Sequence, residues 1–174
     1  MKLFAPLLML PGLLATAQAA DIKPGLWEFR SKLDMPGMPD MAAQMAQMQA
    51  QMKNLPPEAR RMMEQQMAAQ GVSMGSGGSI RVCITPEDAK GARVYSGKSE
   101  GDCKYTDVVN TGNRVAGRIQ CTEPKAIGDF EALIDSPTHF TSKVNMKSDE
   151  GAMKAETDAN WVAADCGKIK PTAR

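Results

Sequence analysis

The side chains in this sequence best suited to chemistry carry sulfur, and they fall into two sets. Ten of the 14 methionines lie within residues 35–74, a stretch free of aromatic residues and cysteine, whereas Cys83, Cys103, Cys121 and Cys166 all follow it. Thioethers are soft ligands that suit Cu(I) when about three of them converge. Met35, Met38 and Met41 stand three residues apart in a short run with prolines and a glycine, and they form a candidate Cu(I) site. A second use of the same residue type needs a helix. Met41, Met45, Met48 and Met52 recur at helical spacing, and Met62, Met63 and Met67 follow at positions that can share the apolar side of a second helix. Methionine adapts to irregular surfaces, so these seven residues are the expected contact surface for a protein, a peptide or a lipid, with Cu(I) binding as the alternative.

The four cysteines are even in number and show no C-x2-C or C-x4-C spacing, and the chain has one histidine, which argues for two disulfides over a zinc site. Residues 103–110 and 114–121 read as strands flanking the turn Thr111-Gly112-Asn113. If Asn110 lies opposite Arg114, Cys103 faces Cys121, and Cys83 is left for Cys166. Other searches return little. The motifs G-x-S-x-G and H-E-x-x-H do not occur, and Gly97-Lys98-Ser99 has Ala92 where a phosphate loop needs its first glycine. His139 stands among threonines and reads as a surface residue. No catalytic residue and no cofactor are expected, and the chain is read as non-enzymatic. A small enzyme whose site only folding assembles is a further alternative.

The elements that must position these residues begin after an export signal. Lys2, the apolar run at residues 3–14 and the small residues at Ala17 and Ala19 predict cleavage near Ala19 or Ala20 and a periplasmic location. That run is shorter than a membrane span and no later one exceeds it, so no transmembrane segment is expected. Residues 21–174 read as one domain. The chain holds 21 Lys+Arg and 20 Asp+Glu, and loss of Lys2 balances them. Interspersed charge of zero net value gives no argument for nucleic acid, which is not expected as a partner. Residues 26–33 alternate as a strand, with Trp27, Phe29 and Leu33 on one side and Glu28, Arg30 and Lys32 on the other. At about residues 40–70 the period changes to that of a helical hairpin. Asp40 is a suitable N-cap, Pro56-Pro57 breaks the two helices apart, and Gly71 ends the second. Gly75-Ser76-Gly77-Gly78 reads as a flexible joint. Alternating runs then continue, the last of them, with Trp161, compatible with strand or helix. The expected fold is mainly β: an antiparallel meander of six to eight strands, a curved sheet or incomplete barrel, with the methionine-rich hairpin inserted after its first strand.

Five short stretches carry a family resemblance: Lys23-Pro24-Gly25-Leu26-Trp27-Glu28, Met35-Pro36-Gly37-Met38-Pro39, Cys83-Ile84-Thr85-Pro86-Glu87, Asp102-Cys103 and Asp165-Cys166-Gly167. Together they resemble the proteobacterial domain-of-unknown-function family numbered 3617, over nearly the whole mature chain. The resemblance implies a small exported protein and assigns no catalytic residue. The functional expectation is a non-enzymatic periplasmic or envelope-associated binding protein that uses the insertion as its contact surface.

Overall fold

The structure, a computed structural model, describes residues 21–36, 41–90, 99–100 and 102–171. Nine strands form one antiparallel sheet: β1 (Gly25–Asp34), β2 (Val72–Met74), β3 (Ile80–Ile84), β4 (Ser99–Glu100), β5 (Cys103–Asn110), β6 (Arg114–Thr122), β7 (Lys125–Ser136), β8 (His139–Ser148) and β9 (Gly151–Ala163). Their spatial order is β2-β3-β1-β9-β8-β7-β6-β5-β4, so the last strand returns beside the first. The insertion supplies α1 (Met41–Lys53) and α2 (Pro57–Ala69) between β1 and β2, and the single-turn α3 (Pro86–Ala89) follows β3. The mainly β architecture with a helical insertion after its first strand agrees with the sequence reading. The strand count exceeds the expected range because β2 and β4 are edge strands of three and two residues. Such short edges offer little backbone for a stray chain to pair with.

Alternation along the strands divides the sheet into an apolar inner face and a charged outer face. Trp27 is fully buried on the inner face, its ring 5.2 Å from that of Phe140, while Phe29 meets Phe140 edge-on at 5.9 Å. A second cluster joins Val115, Ile119, Cys121 and Phe130, with Tyr105 edge-on to Phe130 at 5.5 Å. Gly117 makes this packing feasible, since a Cβ there would lie 2.7 Å from the Phe130 ring. The sheet curls strongly. Met35 and Pro36, beyond the end of β1, share a pocket with Pro124 and Ala126 of the β6–β7 hairpin, three to four strands away in the order. The last long run is β9, not a helix: its whole length pairs with β1 and β8, and that ladder overrides the helix propensity of its alanines.

Two local expectations need correction. Asn110 pairs with Val115 and not with Arg114, yet Cys103 still stands opposite Cys121. A bulge after Thr106, with Asp107 at φ +52°, absorbs the extra residue and restores the register. The glycine-rich stretch after β2 is not a loose joint. It forms a 3-10 turn at Ser76–Gly78, closed by the Gly75 amide donating to the Ser79 carbonyl at 2.8 Å and the Ser79 hydroxyl donating to the Ser76 carbonyl at 2.9 Å. Asp40 and the Gly97-Lys98 pair lie outside the described residues.

Candidate functional site

A concavity lies where the insertion returns to the sheet. It is a cleft of about 660 Å³, with Met52 from α1, Met63, Met67 and Ala68 from α2, Met74 from β2, and Ile169 from the C-terminal segment among its lining. Local sequence explains how α2 comes to stand there. Pro57 occupies its first turn, where a missing amide costs nothing, and Gly71 at φ +87° ends it by donating to the Ala68 carbonyl at 3.1 Å. A spacing of four puts Met63 and Met67 on one side of the helix, and Ala68, the next residue round, is buried. The opposite wall depends on a disulfide. Cys83 lies on the outer side of β3 and is bonded to Cys166, and three residues later Ile169 reaches the cleft, while the Lys170 amide donates to the Ala68 carbonyl at 3.1 Å. The second disulfide, Cys103–Cys121, joins β5 to β6 and lies in the inner core.

Three cations rim the cleft: Arg60, Arg61 and Lys168, against one acid, Glu64. Among the described residues none of these three cationic side chains has an ion pair or hydrogen bond within the protein. Sequence reading named Met52, Met63 and Met67 but missed Met74 and the three cations. Arg60 was legible in principle, because it stands one turn before Met63 and Glu64 and two turns before Met67. Lys168 was not, since it is brought to this place by the distant Cys83–Cys166 bond and by the Lys170 amide bonded to Ala68. The remaining predicted contact residues divide. Met48 and Met62 are exposed, with Met62 68% accessible and outside the cleft lining, while the side chains of Met41 and Met45 lie outside the described residues. The described methionines divide because Met62, one residue before Met63 and so about 100° around the helix from it, stands outside the cleft lining. Of the candidate copper ligands, Met35 reaches the inner pocket, whereas Met38 and the side chain of Met41 lie outside the described residues.

The charged face of the sheet holds two further clusters. Glu28, 6% exposed, is paired with Arg30 and with Arg81, the latter through two nitrogens at 2.8 and 2.9 Å. Gly75 packs against this group, and a Cβ there would stand 2.9 Å from the Glu28 carboxylate and 2.2 Å from the Ser79 hydroxyl. The second cluster surrounds His139. Its Nε2 lies 2.9 Å from Asp158 and its Nδ1 3.0 Å from Asp135. The Asp158 hydrogen bond is the main cause of a raised histidine pKa, opposed by partial burial and aided by the charges of Asp158 and Asp135. Asp158 is correspondingly held below its ordinary value, chiefly by the same hydrogen bond. With a carboxylate beside each ring nitrogen, the protonated imidazole can donate to both, which is the geometry of an ion-pair clasp.

Two of the short motifs of the sequence have structural roles. Gly25 adopts φ +127°, and a Cβ there would lie 2.3 Å from the Ala163 carbonyl. The Trp27 indole donates to the Lys23 carbonyl at 2.8 Å, and that of Trp161 to the Pro24 carbonyl at 3.0 Å. Thr85 caps α3 by accepting from the Asp88 amide at 3.2 Å, with Pro86 in the first turn. The pattern that defines a family described as protein of unknown function, DUF3617, matches residues 22–166. The chain belongs to this family. A Pseudomonas putida relative, described as an uncharacterized protein in the lpd-3 5' region, is 36% identical over 148 residues, covering 82% of this chain and 99% of its own length. No solved structure matches the chain. For this DUF3617 protein, the motif residues now have physical roles in strand entry, core and capping. Among the described residues no helix is long and apolar enough to cross a membrane, and the two disulfides are compatible with an oxidising compartment.

Proposed function

We propose that this protein is a non-enzymatic, periplasmic binding protein associated with the cell envelope, and that its methionine-lined cleft holds the apolar chain of an anionic amphiphile. The observation that carries the reading is the joint lining of one cleft by Met52, Met63, Met67 and Met74 and by the unpaired cations Arg60, Arg61 and Lys168. Thioether side chains reshape around a flexible chain, and a concavity of this size is in the ordinary range for small ligands. A carboxylate or phosphate head at the rim would meet the cations. The two outer-face clusters, around Glu28 and His139, do not line the cleft, which favours binding over catalysis there.

The test is a pair of equilibrium titrations with a fluorescent acyl carboxylate and its uncharged alcohol analogue. Saturable binding of the carboxylate is expected. Replacing Met63 and Met67 by Gln should weaken both probes, while Arg60→Gln with Arg61→Gln and Lys168→Gln should weaken the carboxylate alone, by about tenfold, or ~1.4 kcal/mol. Equal affinities for all variants, or no binding by the parent protein, overturn the proposal.

A further inference from the structure

The register of the sheet gathers three thioethers that lie far apart in sequence. Met146 on β8 stands directly opposite Met153 on β9. On the other side of β9, Leu33 pairs with Ala155 and Asp34 with Lys154, so the next residue, Met35, falls opposite Met153 as β1 ends. Met35, Met153 and Met146 thus form one row across three neighbouring strands. At a strand spacing of about 4.8 Å the outer two are roughly 10 Å apart, and methionine side chains reach over the central one from either side. All three line the same inner pocket of about 500 Å³ at one end of the curled sheet.

The row continues into β7 with Gly128, over which the Met146 sulfur rests: a Cβ there would lie 2.6 Å from it. Three rotatable bonds let that sulfur swing back toward Met153. Cys121 also borders the pocket, but its sulfur is committed to a disulfide and offers no thiolate. The soft donors available are therefore thioethers, which select Cu(I) over harder divalent ions.

We infer that Met35, Met153 and Met146 bind one Cu(I) ion inside the curled sheet, at a site separate from the helical insertion. This inference is independent of the amphiphile cleft. It also replaces the local run of Met35, Met38 and Met41 by a set that shares only its first member.

Anaerobic titration of Cu(I) into the purified protein, against a chromogenic Cu(I) chelator, tests it. One tightly held ion per chain is expected, with an X-ray absorption spectrum of sulfur ligands. Met153→Leu and Met146→Leu, conservative in volume, should each lower affinity at least about tenfold, as loss of a metal's ligand requires. A variant with Met48, Met52, Met62, Met63 and Met67 all replaced by leucine should bind as the parent does. Circular dichroism and thermal melting check that each variant folds; if Met153→Leu does not, Met35→Leu, beyond the end of β1, carries the same test. Parent-like binding by the rung variants, loss confined to the helix variant, or no retention against the chelator overturns the inference.

Discussion

The strands that carry the family motifs and the insertion that carries the methionines are built on opposite principles. At the motif end of β1, each residue is committed to the fold: Gly25 fits against Ala163, Trp27 is wholly enclosed, and Glu28 is held by two arginines although it is nearly inaccessible. In the insertion, Met48 and Met62 face solvent, Met63 is partly exposed at a cleft, and the cations beside it have no partner within the described protein. The difference separates scaffold from the surface proposed for contact. The motif around Gly25 and Trp27 marks where the backbone is held, and the proposed binding cleft lies where side chains are left uncommitted.

The sharpest way to break this comparison is Glu28→Ala. Removing a buried partner costs about 3–5 kcal/mol, and the lower end applies here because Arg30 and Arg81 both reach solvent. A loss of about 3 kcal/mol in chemical denaturation is expected; a loss under about 1 kcal/mol would mean that the motif is not there for stability. The His139 clasp should act more weakly, since it and both aspartates are partly exposed and screened by salt. Its raised folded-state pKa means that its stabilisation is complete below the ordinary value of 6.5 and is lost as pH rises through the folded value. Asp158, depressed from 3.8, adds stability above that value and loses it as pH falls through the lower folded value. Melting temperature should therefore be greatest between the two limbs, and His139→Gln should flatten the alkaline limb at a cost of about 1 kcal/mol or less. An unchanged alkaline limb in that variant would assign the pH dependence elsewhere. The smallest effect belongs to the insertion: Met48→Gln and Met62→Gln should each change stability by no more than about 0.5 kcal/mol. A cost near 2 kcal/mol for either, by the same denaturation assay, would place the insertion in the core and erase the contrast.

Much of the scaffold was legible because strand periodicity is local. The alternation around Trp27, the helices on either side of Pro56-Pro57 and the Thr85 cap all follow from neighbours within a few positions. The hairpin shows where local reading stops. Cys103 does face Cys121, but through a bulge at Asp107 that no residue spacing announces, because the strain of a left-handed residue is offset by pairing on both flanks. The glycine-rich return after β2 was read as loose for the same reason: its order comes from Glu28 and Ser79 packed against Gly75, contacts distant in sequence or hidden by the turn.

By itself the sequence determined the strand pattern, the helical insertion and the pairing chemistry of the cysteines, since each depends on side-chain periodicity or on residue type. Only the tertiary structure decided which methionines share a pocket. Met35 was grouped with its neighbours in the chain, yet the curl of the sheet and the return of β9 beside β1 set it in line with Met153 and Met146, more than a hundred residues away. Lys168 likewise enters the methionine cleft through long-range links, the Cys83–Cys166 bond and the Lys170 amide on Ala68. Register across a sheet is fixed by pairing between strands and not by distance along the chain, which is why the two candidate sites had to be found in three dimensions.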